Sequence, residues 1–346
     1  MSPTFLVSRT DAIGDVVLTL PVAGQLKQQF PGCRVVLVGR SYTAAVAAAC
    51  PWVDDFLDVD ELWPLPAADQ LAQLRAYQAA AIIHVFPNRK LAQLARQAGI
   101  LVRIGTRNRF FHWLTCNRLV ALSRRHSLLH EAQLNLKLLA PLGPMPTPPL
   151  ATVAGLVRLV PTVGLPLGLQ ELLNARQPGQ LNVILHARSR GSAREWGLAN
   201  FGHLARLLHA AGHRVFVTGT AAEGQELAAW LRENAAFLAA DLTGQLALPA
   251  FIAFIAAADG LVAGSTGPLH LAAALGRHAL GLYPPIRPMH PGRWAPLGPH
   301  AEYLVFDQPD CQDCRAQPAS CACIKAIEVA TVAARVGTWV PLPVGQ

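Results

Sequence analysis

Short apolar runs alternate with longer amphipathic stretches along most of the chain. Residues 4–8 read as a strand, 9–14 as a polar loop, and 15–30 as an amphipathic helix stopped by Pro31-Gly32. Residues 34–38 form a continuous apolar strand, as in a sheet covered on both faces. Helices at 44–49, 68–76, 89–97 and 131–139 alternate with strands at 56–59, 80–85 and 102–105. This rhythm predicts an α/β fold with parallel sheets wrapped by helices.

Residues 141–180 break the rhythm with a crowd of prolines, Pro141 to Pro178, and weak periodicity. The alternation then restarts. Strands are expected at 181–186, 214–218, 260–263 and 279–283, and helices at 200–211, 221–233, 249–257 and 268–275. The expected organisation is a unit over 1–150, a Pro-rich linker over 151–180 and a second unit over 181–346. A cleft between two such units is the natural place for a ligand.

Composition narrows the picture. Of 346 residues 52% are hydrophobic and 14% charged, against a usual ~25% charged. That excludes a disordered chain, because apolar burial can offset the ordering entropy. It does not make a membrane protein. The longest uncharged run in the most apolar region, 242–258, is interrupted by Pro249 and falls short of the ~20 apolar residues of a span. No basic-then-apolar leader opens the chain, so a cytoplasmic protein with reduced thiols is expected for its seven cysteines.

The net charge is +8, with 25 Arg against four Lys. Between His84 and His130 there are nine Lys or Arg and no Asp or Glu, with Phe110, Phe111 and Trp113 among them. A one-sign block of this kind predicts an anionic partner. Its aromatics follow no nucleic-acid module, so nucleic acid is not expected.

Four constellations could carry chemistry. The first is the strand-to-helix turn Arg9-Thr10-Asp11-Ala12-Ile13-Gly14-Asp15. Ligands of doubly wound sheets sit at the carboxyl ends of strands, so this loop presents two carboxylates; Asp15 could also simply complement a helix dipole. The second is Gly264-Ser265-Thr266-Gly267-Pro268-Leu269-His270, whose Gly-rich turn and early Pro expose backbone N–H groups to a phosphate. A capped core helix with a buried His270 is the bland alternative. The third is the loop 186–196, where Arg188, Arg190 and Arg194 accompany Ser189 and Ser192. Guanidinium forks suit a pyrophosphate, although solvated loop charges would look the same. The fourth is Cys311, Cys314, Cys321 and Cys323, four thiols that could hold a structural metal, although the Cys-x-Cys pair is tight for zinc. Residues 217–224 mimic a dinucleotide turn but lack Gly-x-Gly-x-x-Gly, which argues against a nicotinamide dehydrogenase.

Together these pieces resemble glycosyltransferase family 9, the ADP-heptose:lipopolysaccharide heptosyltransferases. The resemblance is carried by Phe5 to Pro21, by Ser265 to Gly276 and by His130 to Leu139, and it spans nearly the whole chain. It implies a GT-B fold of two Rossmann-like units, with the acceptor on the first and the nucleotide sugar on the second. It also implies an inverting transfer of heptose or a related sugar from an ADP-sugar to an anionic glycolipid, with peripheral contact at the cytoplasmic face of the inner membrane. In that pattern Asp15 is the general base, its pKa lowered by the helix N-terminus. Ser189, Arg194, Glu223, Ser265, Thr266, Gly267 and His270 bind the donor, and Asp11, Arg107 and Arg109 the acceptor. No cofactor or metal is required. Two positions depart from the family pattern: Ser265 stands where Asp precedes Thr-Gly, and Arg188 where a small hydroxyl residue is common. A different donor sugar, or a binding module that has lost catalysis, are the competing readings.

Overall fold

The computed structural model describes residues 2–124, 127–143, 146–189, 191, 193–287, 289–308, 311 and 321–343. The chain divides into two compact units, Met1–Val160 and Pro161–Gln346.

The first unit is built on β1 (Thr4–Ser8), β2 (Arg34–Gly39), β3 (Asp55–Asp58), β4 (Ala81–His84), β5 (Val102–Thr106) and β6 (Arg118–Val120). The sheet is parallel, in the order β3-β2-β1-β4-β5-β6. Leu6 pairs with Val36 on one side and Ile82 on the other, and all three are fully buried. Each such side chain contributes about 1.5–3 kcal/mol by leaving water, and helices on both faces keep them dry.

The second unit repeats the plan. Its strands are β7 (Asn182–His186), β8 (Arg214–Val217), β9 (Ala240–Asp241), β10 (Gly260–Gly264), β11 (His278–Tyr283) and β12 (Ala301–Val305). They are parallel in the order β12-β11-β10-β7-β8-β9. Counted from its own first strand, each unit has the same doubly wound order, and both match the expected α/β, GT-B-type class of Rossmann-like sheets. The winding reverses between β1 and β4, and again between β7 and β10. Loops leaving those strands diverge and open a crevice at the carboxyl edge of each sheet.

Three local expectations need correction. The helix expected over 15–30 is two helices, Ile13–Val17 and Leu20–Gln29. Pro21 has no N–H to continue the first, so the chain turns at Leu18 and Thr19 and restarts with Pro21 in the first turn. Asp15 therefore sits third in a five-residue helix. The helix expected over 131–139 ends at Leu136 and tightens into a 3₁₀ segment, Lys137–Leu142, around Pro141. The stretch read as linker, 151–180, contains the helix Leu167–Asn174 and most of Leu150–Ala154, and the units part at Val160. Among the described residues no helix is long and apolar enough to cross a membrane. The apolar run 242–258 holds the helix Leu248–Ala257, with Ile252, Phe254 and Ile255 buried.

Candidate active site

The crevice of the first unit is lined by the loop from β1 into the helix Ile13–Val17. Arg9 follows the last residue of β1, and its N–H bonds Val38 O of β2, which fixes where its side chain departs. That side chain is buried, 4% exposed, and grips three carboxylates. Nε donates to Asp11 Oδ1 at 2.6 Å, Nη2 to Asp15 Oδ1, and Nη1 reaches Glu131 Oε1 at 3.4 Å. Burial works to lower the proton affinity of Arg9, but Asp15, Asp11 and Glu131 outweigh it and hold it above its ordinary value. Asp11 moves the other way. Desolvation, with repulsion from Asp15, overcomes the pull of Arg9 and lifts its carboxyl to about 6.

Glu131 begins the helix Glu131–Leu136 and is fully buried. It also accepts from Arg124 Nε at 2.8 Å, and Arg124 donates to Asn135 Oδ1 at 2.9 Å. Asn135 in turn donates to Leu18 O at 3.0 Å and lies 3.3 Å from Thr19 Oγ1. The Thr19 hydroxyl donates to Asp15 O at 2.8 Å, which closes the circuit. The carboxylate of Asp15 and its backbone are thus held from both ends by charge-assisted and amide hydrogen bonds. The arrangement can orient an ionised carboxylate at the mouth of a crevice, which is what proton abstraction from a bound hydroxyl requires.

In the second unit the turn from β10 into the helix Gly267–Ala274 lies at the point of reversal. Thr266 caps that helix without a side-chain bond, and its buried Oγ1 has no hydrogen-bond partner among the described residues. An orphaned hydroxyl beside a helix N-terminus, with Pro268 in the first turn, is a donor set suited to an anionic oxygen. His270 is buried one turn in, and Ser265 meets the buried phenol of Tyr283. The loop after β7 closes on the same turn. A Cβ at Gly264 would stand 3.2 Å from Arg194 O, so glycine there allows the two backbones to approach. Arg194 is buried, and Ser189 lies 3.0 Å from Ala193 O and 3.1 Å from Glu195 Oε1. The structure therefore brings Ser189, Arg194, Ser265, Thr266, Gly267 and His270 to one edge.

The remaining candidates are placed differently. Glu223 Oε2 accepts from Thr220 N at 2.7 Å and Thr220 Oγ1 at 2.9 Å, a capping box that opens the helix Ala221–Asn234. Its other neighbour is His186, whose proton affinity falls through burial while Glu223 opposes the fall. Arg188 pairs with Glu195 and Glu226, so the loop is less cationic than its composition suggests; Arg190 and Ser192 lie outside the described residues. Arg107 and Arg109 are exposed on the loop leaving β5, two strands across from β1. Of the four thiols, Cys314 lies outside the described residues. Cys311, Cys321 and Cys323 are buried in the core of the second unit, with Cys323 Sγ 3.3 Å from Cys311 Sγ. Among the described residues no group of three or more His, Cys, Asp or Glu side chains is arranged to hold a metal ion. Sequence reasoning missed the roles of Arg9, Glu131 and Arg124. Arg9 stands inside the quoted motif and Glu131 inside another, but nothing in either spacing joins them.

A sequence profile of glycosyltransferase family 9 (heptosyltransferase) matches residues 70–325. A protein of Haemophilus influenzae, provisionally named a glycosyltransferase, is 28% identical over 313 residues, 88% of this chain and 89% of its own. Among solved structures, a family 9 glycosyl transferase from Veillonella parvula superposes with a TM-score of 0.78 at 17% identity, covering 97% of each chain. The E. coli ADP-heptose lps heptosyltransferase II gives 0.71 at 18%, covering 96% of this chain and 97% of its own.

Proposed function

Since the chain belongs to glycosyltransferase family 9, we propose that it moves heptose, or a related sugar, from an ADP-sugar to an anionic glycolipid in lipopolysaccharide core assembly. The observation that carries this reading is Asp15, clamped by buried Arg9 at the reversal point of the first sheet. The name of the similar E. coli enzyme supports the ADP-heptose donor.

In this reaction an acceptor hydroxyl attacks the anomeric carbon from the face opposite the diphosphate. Its proton passes to the carboxylate of Asp15, and the sugar–phosphate bond breaks with its electron pair leaving on ADP. One displacement inverts the anomeric centre, so one base suffices. Arg194, the Thr266 hydroxyl, the N-terminus at Gly267 and His270 face the diphosphate, with Ser189 supporting their loop. Positive groups and N–H dipoles placed where the leaving charge develops stabilise it, so no divalent metal or other cofactor is required. Ser265 and Glu223 are assigned to the sugar and ribose hydroxyls, and Asp11, Arg107 and Arg109 to the acceptor. The transfer takes place on the cytoplasmic side of the membrane.

Ser265 is the position at which another donor sugar would be selected, since a hydroxyl replaces a carboxylate there. Titration with ADP, UDP and GDP separates these readings. The reading as a whole is tested by Asp15→Asn with ADP release as the readout. A fall of about 10²–10⁴ in kcat is expected for loss of a general base, with ADP affinity unchanged by calorimetry. Turnover within a few-fold of the parent would remove Asp15 from the chemistry.

A further inference from the structure

The helix Phe110–Thr115 is amphipathic with an outward apolar side. His112 and Thr115 are buried, whereas Phe110, Trp113 and Leu114 are 82%, 57% and 60% exposed. These three fall at i, i+3 and i+4 and share one face. Leu101, also exposed, is tied in beside the end of the helix, because Asn117 Nδ2 donates to Leu101 O at 2.7 Å. Scattered apolar residues on a surface are ordinary, but three on one face and a fourth beside the helix make a contiguous patch that calls for a partner.

The rim of the patch is cationic. Arg96 donates to Leu114 O at 2.7 Å, and Trp113 Nε1 donates to Arg107 O at 2.9 Å, which binds the apolar face to its border. Arg96, Arg107, Arg109 and Arg118 are all exposed, and none has an ion pair with a carboxylate among the described residues. Of the acids elsewhere in the unit, Asp54 pairs with Lys27, Asp55 with Arg34 and Asp60 with Arg40, and Asp58 serves as a helix cap, while exposed Glu61 and Asp69 form no ion pair with these arginines among the described residues. Arg124, in the same basic stretch, turns inward to Glu131.

From this juxtaposition of an apolar helix face and an unbalanced arginine rim, we propose that Phe110–Thr115 is a docking surface for an anionic lipid bilayer. Phe110, Trp113 and Leu114 enter the interfacial layer, where aromatic rings settle, and the arginines meet lipid phosphates. A second copy of this chain fits less well. A twofold contact through this patch would set the two arginine rims against each other. The proposal needs neither donor nor acceptor and does not rest on the transfer reading.

The test is co-sedimentation of the full chain with vesicles of phosphatidylcholine alone or mixed with phosphatidylglycerol. Partition is expected to be at least about tenfold stronger onto the anionic vesicles, each arginine adding roughly fivefold, and to weaken as salt rises. Two variants are compared: Phe110→Ser with Trp113→Ser and Leu114→Ser, and Arg96→Gln with Arg118→Gln. Each should lose about tenfold or more in partition. Unchanged thermal melting shows that the fold is kept, and Phe110→Ser alone serves if the triple variant melts early. Equal binding to both vesicle types, or variants that bind like the parent, would overturn the proposal. So would a parent that ignores vesicles but sediments as a dimer dispersed by the apolar variant.

Discussion

Glu131 Oε1 stands 3.4 Å from Arg9 Nη1, a contact across 122 positions of sequence that anchors the loop carrying Asp15 to the helix Glu131–Leu136. Because Glu131 is fully buried and also holds Arg124, it carries charge for two guanidinium groups. Glu131→Gln keeps the shape and removes the charge. We expect a loss of about 3–5 kcal/mol of stability, the range for breaking a buried pair, read from denaturant midpoints. Turnover should fall while donor affinity stays, since the change acts on the orientation of Asp15. A variant with parental stability and parental kcat would mean that Arg9 is held well enough by Asp11 and Asp15.

The two halves of the proposed reaction should separate kinetically. Arg194→Ala is expected to weaken ADP binding by about 1.5–3 kcal/mol, the worth of a hydrogen bond to a charged group, without raising the acceptor KM. Arg107→Gln with Arg109→Gln should do the reverse, and its acceptor KM should depend less on ionic strength than the parent's. Crossed effects would reassign the two sets of arginines. Activity should survive EDTA; full loss restored by magnesium would overturn the metal-independent reading.

Asp11 gives a stability signature with a definite sign. Its folded carboxyl titrates at about 6, pushed up by burial and by Asp15 against the pull of Arg9, and an unfolded Asp near 3.9. Between those values the folded state holds more protons, so stability falls as pH rises through the window. Asp11→Asn should therefore be more stable than the parent at pH 8, by about 1–3 kcal/mol. Below about pH 4 the difference should vanish. An Asn variant less stable at pH 8 would show that the Arg9 pairing outweighs the burial cost.

His84 predicts the opposite slope. It is fully buried at the end of β4, with Nδ1 3.4 Å from Ser8 Oγ and Nε2 unpartnered among the described residues. Burial, with His112 and Arg103 adding, lowers it to about 3. An unfolded histidine near 6.5 takes up a proton that the folded one refuses, so stability is full above that pH and lost as pH falls toward 3. The loss should reach roughly 2–5 kcal/mol. His84→Gln should flatten that part of the profile in denaturant titrations; an unchanged slope would place the acid sensitivity elsewhere.

Much of this was legible in the chain because central parallel strands are buried on both faces and announce themselves as apolar runs, as β1, β2 and β7 do. The edge strands β6 and β9, three and two residues long, are too short to set up any periodicity. The turn from β10 into the helix Gly267–Ala274 was visible because Gly, Thr, Gly and Pro each have a backbone reason to stand together there. The clamp on Asp15 was not. A guanidinium can be read from sequence, but the carboxylate that will meet it 122 residues later cannot. The capping box Thr220-x-x-Glu223, by contrast, is legible from its own spacing.

Each sheet ends in two strands with open backbone on one side, and all four carry charge: Asp55 and Asp58 in β3, Arg118 in β6, Asp241 in β9 and Glu302 in β12. The two central strands of each sheet, β1 with β4 and β7 with β10, carry no Asp, Glu, Lys or Arg, whereas β2, β5 and β8, next to the margins, carry one arginine each. In a chain with so few charged residues this placement guards the borders against strand-by-strand polymerisation, because a neighbouring molecule would have to bury an ionised group to extend the ladder. Charged side chains at the four margins thus raise the cost of edge-to-edge pairing in a sequence otherwise rich in apolar residues.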